Sequence, residues 1–199
     1  AWINIDNYLN ADIKRSYLDT FKIIFVGSVT ERKNPKLIIE SLETIDGNVS
    51  LEIIGQTPNL KYLKELNNLI SSSKHAENIT MTPFIKAEEL ISKYSSANLF
   101  ILPSKSEGLG RVIIEAQSTA CPVLVSSNTG MVDLIIENET GYIFENNNKN
   151  DLSNKIQHIM NNYESALQTG LNSKDFVKEN QSVANFEFGY KKLIDLVST

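Results

Sequence analysis

Cysteine is nearly absent from the 199 residues: Cys121 stands alone. That excludes an internal disulfide and any zinc site built from several cysteines, and it fits a reducing compartment. Histidine is almost as scarce. His75 and His158 lie on polar helical segments with no acid at ligand spacing, so both read as surface residues and no metal is expected. Long apolar runs are missing too. Stretches such as Ile23-Ile24-Phe25-Val26 and Asn98-Leu99-Phe100-Ile101-Leu102 fall far short of the ~20 residues that cross a bilayer. The opening Ala1-Trp2-Ile3-Asn4 has no basic region and no long apolar stretch, so no signal peptide is expected in these residues. It also lacks an initial Met, so a fragment or a processed product is expected. Positive charge is in the minority: 19 Lys+Arg against 24 Asp+Glu give a net charge of −5. This excludes a uniformly basic nucleic-acid binder, though not a local basic cluster for phosphate. No G-x-S-x-G elbow occurs, and Gly27 is not part of a G-x-G-x-x-G fingerprint. Both absences argue against the hydrolases and dehydrogenases that carry those motifs.

What is present suits one ordinary domain. The chain is 41% hydrophobic and 22% charged, and at this length folding hides roughly 70% of the unfolded surface. Residues 1–20 are polar and weakly patterned and read as a lead-in segment; residues 21–199 read as the domain. Phe21 to Gly27 is a β-branched run ending in glycine, the pattern of a strand buried on both faces. A polar loop, Ser28 to Asn34, leads to Pro35, which suits the first turn of a helix carrying Leu37, Ile38, Ile39 and Leu42. The unit repeats: a strand at Leu51–Gly55 and a helix over 59–72, a strand at Asn78–Thr82 and a helix over 87–95, then a strand at Leu99–Pro103 and a helix over Gly108–Thr119. A fifth strand at Pro122–Val125 and a sixth at Tyr142–Phe144 follow. After residue 149 the pattern is helical only, over 150–168, 172–179 and 183–197. The rhythm predicts an α/β fold: a single Rossmann-like, doubly wound parallel sheet of about six strands, helices on both faces and a helical C-terminal tail. Ligands of such sheets bind at the carboxyl ends of the strands.

The most informative of those ends is Pro103-Ser104-Lys105-Ser106-Glu107-Gly108-Leu109-Gly110-Arg111-Val112-Ile113-Ile114-Glu115-Ala116. A strand ends at Pro103, a polar turn presents Glu107, and two glycines open a helix that carries Glu115. The first turn of a helix has unpaired backbone N–H groups and a positive dipole end, an anion site by construction. Gly108 and Gly110 have no side chain to keep a phosphate or sugar from the backbone. Glu107 ahead of the helix and Glu115 within it can each accept hydrogen bonds from hydroxyls. Such a loop can hold a diphosphate between two polyol groups, as in a nucleotide sugar. On the residues alone, Glu107 also reads as a helix-favouring acid and Glu115 as a solvated one.

The stretch resembles the E-x7-E motif of the retaining GT-B glycosyltransferases called group 1, or family 4. Glu107 and Glu115 have the required spacing. Pro103-Ser104, Glu107-Gly108-Leu109-Gly110 and Glu115-Ala116 match the family's PS…EGFG…EA pattern, with Leu109 for the commoner Phe. Pro122-Val123, Gly130 and Gly141 extend the match, while Ala120 and Asp133 stand where the family often has Gly and Glu. The resemblance covers about residues 21–197. It implies that Glu107 with the Gly108, Leu109 and Gly110 backbone holds the donor sugar, and that Glu115 holds the ribose hydroxyls. It puts the diphosphate at the first loop, on Gly27, Ser28, Arg32 and Lys33. The family's Arg after the glycine is Ser28 here; its Lys is Lys33, with Arg32 beside it as a substitute. The base is expected against Gly55 and the Phe84–Ile85 backbone, with Phe84 itself a packing residue.

The resemblance also implies an activity. The whole enzyme moves a sugar from a nucleoside-diphosphate sugar, a UDP-sugar on family frequency, to a glycan or lipid-linked acceptor with retention of configuration. Glu107 and Lys33 are its catalytic candidates. As a nucleophile Glu107 would face the anomeric carbon opposite the leaving group; the family favours a hydroxyl-binding role instead. No cofactor or metal is implied, and no D-x-D pair occurs. The matched motifs belong to the C-terminal, donor-binding half. An N-terminal acceptor domain is therefore expected as partner, the helix over 183–197 is expected to pack on it, and the chain alone is expected to be inactive. The face that domain would cover allows self-association. The implied location is cytoplasmic, with room for peripheral contact with the membrane's inner face and a part in polysaccharide biosynthesis. The reading from another class is a non-catalytic α/β module that binds a nucleotide or a protein.

Overall fold

In a computed structural model, residues 5–17, 19–108, 110–130 and 132–180 are described. Six strands form one sheet: β1 (Phe21–Val26), β2 (Val49–Ile54), β3 (Ile79–Thr82), β4 (Leu99–Leu102), β5 (Val123–Ser126) and β6 (Tyr142–Phe144). Their order is β3-β2-β1-β4-β5-β6, and every neighbouring pair is parallel. This is the doubly wound arrangement that the βα rhythm predicts. All of β4 and β5 is buried, since helices cover both faces. The helices are α1 (Asp6–Leu9), α2 (Pro35–Leu42), α3 (Leu60–Ser72), α4 (Ala87–Ser96), α5 (Arg111–Ser118), α6 (Lys149–Asn161) and α7 (Tyr163–Asn180). One group packs α2 against α3 and α6; the other packs α5 against α1, α4 and α7.

The order reverses between β1 and β4. The chain leaves β1 towards one edge of the sheet and leaves β4 towards the other. Their following loops diverge and open a crevice at the carboxyl ends. Local chemistry starts the flanking helices. Pro35 takes the first position of α2 after Asn34, which sits at φ 54°. Asn59 and Asn148 cap α3 and α6, each side chain accepting from two backbone N–H groups. At Gly110, before α5, no side chain caps the helix.

The structure corrects several readings. The lead-in segment is docked on the domain over residues 5–17: Ile5 is buried, and the Tyr17 ring lies edge-on to Phe21 and Tyr163. Arg15 donates to the carbonyls of Tyr94 (3.2 Å), Ala97 (2.9 Å), Thr119 (2.9 Å) and Ala120 (2.5 Å). These carbonyls end α4 and α5, where a cation also meets the negative pole of each helix. The helix expected from Gly108 begins only at Arg111. The break expected near 169–171 falls instead at Asn162, and α7 runs straight through Gly170. That glycine serves close packing: a Cβ there would sit 2.2 Å from the Ala120 carbonyl oxygen. His75 is buried, its Nε2 3.1 Å from the Leu42 carbonyl oxygen, because the turn before β3 tucks it under the end of α2. His158 is exposed as expected. Cys121 is buried, and burial pushes its thiol up to about 11, so it is inert at neutral pH. The helix expected over 183–197 lies outside the described residues.

Arg15→Ala leaves four carbonyls without their donor, so urea unfolding should show a loss of about 2–4 kcal/mol. Arg15→Lys should recover less than half of it, because a single ammonium cannot reproduce the guanidinium fork.

Candidate functional site

The loops after β1 and β2 leave the sheet in backbone contact. Gly27 N–H donates to Ile54 and Gly55 N–H to Thr82, at 2.9 and 2.8 Å, so the ladder runs one residue past each strand. A Cβ on Gly55 would lie 1.8 Å from the Gly27 carbonyl oxygen, and both residues have φ near +151°. Only glycine fits at position 55. It brings these two loops together beside the place expected for the base.

Beyond Gly27 the chain makes a tight turn. Asn34 N–H donates to the Thr30 carbonyl at 2.9 Å and Lys33 N–H to Thr30 Oγ1 at 3.3 Å. The Lys33 stem crosses over Gly27, its Cε 3.9 Å from where a Cβ would be. Its ammonium reaches the loop after β4 and pairs with Glu107 Oε2. Arg32 reaches the same loop. Its Nη1 donates to the Ser106 carbonyl at 2.8 Å and lies 3.9 Å from Glu107 Oε2, while its own carbonyl accepts from Lys105 N–H at 2.8 Å. The Arg32 side chain is 55% exposed, whereas those of Lys33 and Glu107 are 12% and 8% exposed. The sequence interval between Lys33 and Glu107 spans three strands, yet the fold brings them into contact.

The loop after β5 holds Glu107 from the other side. Glu107 and Thr129 form a short parallel bridge, and Gly130 N–H donates to the Glu107 carbonyl at 2.6 Å. A Cβ on Gly130 would meet the carbonyl oxygens of Gly108 and Glu107 at 2.2 and 2.5 Å. Ser104 Oγ lies 3.4 Å from Glu107 Oε2. Asn128 and Asn146, which sequence reasoning missed, donate to the Lys105 carbonyl at 3.3 and 3.5 Å. Being asparagines in an asparagine-rich loop region, they gave no signal by type. By contrast, a Cβ on Gly108 would meet nothing within 4 Å, so this glycine borders open space. Leu109 lies outside the described residues.

Charge and dipole therefore converge. Two cations, Lys33 and Arg32, face one carboxylate, Glu107, at the uncapped start of α5. The surplus positive charge and the helix pole favour an anion beside a hydroxyl-accepting acid. Among the described residues, no group of three or more His, Cys, Asp or Glu is placed to hold a metal ion. Ser28 is exposed at the mouth.

Glu115 takes a different neighbourhood. It lies on α5 and accepts from Tyr94 Oη at 3.3 Å. Burial raises its carboxyl above the ordinary glutamate range, against smaller opposing effects of Tyr94 and Arg111. Ile85 is half-buried and packs on the core. Phe84, expected to pack, is 73% exposed, since Ile85 takes the inward place in that turn; Leu60, the first residue of α3, is 78% exposed.

The family model of the group 1 glycosyl transferases matches residues 9–176. The chain belongs to this family. It is 30% identical over 179 residues to an uncharacterized glycosyltransferase of Methanocaldococcus jannaschii, covering 89% of this chain and 49% of that protein. It is 30% identical over 162 residues to the capsular polysaccharide biosynthesis glycosyltransferase CapM of Staphylococcus aureus, covering 78% and 41%. The chain thus spans about half the length of the curated relatives it matches. HepE of Anabaena, crystallised with UDP and glucose, shares the fold: TM-score 0.81, 18% identity, with 91% of this chain and 49% of that one covered. No helix among the described residues is long and apolar enough to cross a membrane.

A carboxyl raised by folding opposes folding wherever it must ionise, and costs nothing where it is protonated in both states. Glu115→Gln should therefore raise the melting temperature of the unliganded chain at pH 7. That gain should vanish below about pH 4, which calorimetry at the two pH values checks.

Proposed function

We propose that this chain is the donor-binding domain of a retaining glycosyltransferase that uses a nucleoside-diphosphate sugar, with UDP as the favoured nucleotide. The observation that carries the reading is the contact of Lys33 and Arg32 with Glu107 across the β1 and β4 loops, just ahead of the uncapped start of α5. Family membership supports it, as does a neighbour of the same fold that holds UDP and glucose. The diphosphate takes Lys33, Arg32 and the α5 N-terminus; the sugar hydroxyls take Glu107 and the Gly108–Gly110 backbone; the ribose takes Glu115. The base lies at the exposed ends of β2 and β3, near Gly55 and Ile85.

In the reaction the anomeric carbon–oxygen bond to the diphosphate breaks and a bond to the acceptor oxygen forms on the same face. The acceptor's proton passes to the leaving diphosphate. Lys33 and the helix pole meet the charge that develops there, and each such contact supplies about 2–4 kcal/mol of transition-state stabilisation. Glu107 serves as a hydroxyl ligand. Until the donor binds it also holds Lys33 in place, so the diphosphate takes over Lys33 while the sugar takes over Glu107, the two halves of one ion pair. The acceptor, a glycan or lipid-linked glycan, is bound by a second domain of comparable size, without which the chain does not turn over. The full enzyme works in the cytoplasm, on surface-polysaccharide precursors at the inner membrane face, and requires no metal.

Thermal shift with UDP, GDP and ADP tests the donor reading. At 100 times its dissociation constant, the right nucleotide adds about 2.7 kcal/mol of stability. Lys33→Ala should weaken the diphosphate ten- to hundredfold and spare the nucleoside, as loss of a charged hydrogen bond of about 1.5–3 kcal/mol requires. Glu107→Gln should weaken the nucleotide sugar but not the bare diphosphate. No shift with any nucleoside diphosphate would falsify the proposal.

A further inference from the structure

Glu115 is the second acid of the proposed donor site, yet Lys33, Arg32 and Glu107 do not hold it. Its Oε2 accepts one hydrogen bond among the described residues, from Tyr94 Oη at 3.3 Å. Tyr94 is fully buried on α4. Its ring lies edge-on to Phe100 of the central strand β4, with centroids 5.8 Å apart, and tilted against Tyr8 of α1 at 6.3 Å. Its carbonyl accepts from Arg15 Nη2 at 3.2 Å. The phenol is therefore held by the sheet on one side and by the segment 5–17 on the other.

Burying a hydroxyl costs free energy that a hydrogen bond offsets. Apolar packing would be served as well by Phe. Among the described residues its one hydrogen-bond partner is the Glu115 carboxylate. Burial holds the Tyr94 phenol well above the ordinary tyrosine range, so it stays a donor at neutral pH. A carboxylate with one oxygen tied in this way keeps the other oxygen, and a fixed rotamer, for a pair of hydroxyls. Tyr8 closes the cluster, its own phenol pushed up to about 12 by burial and by the Glu115 charge.

We infer that Tyr94 is a positioning residue for Glu115: its buried hydroxyl fixes the carboxylate that receives the ribose of the donor, and the segment 5–17 keeps Tyr94 in place. This rests on the donor-binding reading. It assigns Tyr94 no contact with the ligand and no role in folding beyond what its ring supplies.

The test is ribose discrimination by the 199-residue chain. Titration calorimetry would compare UDP, GDP and ADP, each with its 2′-deoxy counterpart. The wild type should favour the ribonucleotide by about tenfold, the scale of one net hydrogen bond. Tyr94→Phe should move the melting temperature by no more than about 4 °C. The same substitution should weaken the ribonucleotide five- to tenfold by the same scale and leave the deoxynucleotide unchanged, collapsing the ratio. In a Glu115→Gln background, Tyr94→Phe should add no further loss. Tyr94→Met, which also removes the hydroxyl, keeps Glu115 and fills the site with a flexible apolar side chain, should collapse the ratio in the same way; it stands in for Tyr94→Phe if that variant does not fold. An unchanged ratio in a folded Tyr94→Phe chain, or an equal further loss in the Glu115→Gln background, overturns the role of Tyr94 alone. A wild type that binds nucleotides without ribose discrimination overturns it too. A wild type that binds no nucleoside diphosphate overturns the donor reading beneath it as well.

Discussion

The candidate site depends on β1 and β4 lying side by side while their chains depart in opposite directions. Neighbouring strands are about 5 Å apart, so side chains rising from their two loops meet without reaching. Lys33 rises from one loop and Glu107 from the other, and their ion pair spans the crevice. Both side chains are largely withdrawn from water, where an unpaired charge would be costly. The pair therefore stores a demand as much as it satisfies one. A phosphate can take the ammonium and a hydroxyl can take the carboxylate, each replacing what the other loses.

Glycine makes that geometry accessible by allowing backbones to touch. Gly55 lies against Gly27, and Gly130 lies against Glu107 and Gly108, at distances no side chain would allow. Four loops, after β1, β2, β4 and β5, are thus packed main chain to main chain, the β1 and β4 loops being joined by the Lys105 N–H donating to the Arg32 carbonyl. A rigid frame holds charged groups where they serve a ligand best, because little ordering is left to be done on binding. Gly108 is different in kind: it borders open space, and its lack of a side chain leaves room for a ligand.

The residues before β1 belong to this frame. Arg15 gathers the carbonyl ends of α4 and α5, the two helices that carry Tyr94 and Glu115. A guanidinium is suited to this, since its five donors diverge in a plane and it remains charged when partly buried. Ala120 takes a positive φ of 57° beside that cluster, a left-handed conformation that glycine adopts at least cost. Ala120 also receives the close approach of Gly170, so α7 is seated by the same turn. Stability and site geometry are therefore carried by shared atoms. Glu115 illustrates the tension between them, as a carboxyl kept partly from water at a cost to the unliganded fold.

Strand and helix order was legible in the sequence because it rests on local periodicity. β-Branched runs ending in Gly or Pro, and apolar positions at helical spacing, are set by the residues themselves. The acids Glu107 and Glu115 were legible for a related reason: they lie in one short loop–helix unit whose spacing survives folding. Other features depended on distant atoms. That Gly170 sits inside a helix, that His75 is buried, and that the polar-looking segment 5–17 is docked by Arg15 all follow from contacts with residues far along the chain. The pairing of Lys33 with Glu107 and of Tyr94 with Glu115 is of the same kind. Sequence alone determined which groups this protein carries and which local elements bear them. The tertiary structure decided which of those groups share a dielectric and a distance, because ion pairing, desolvation and backbone contact act through space and not along the chain.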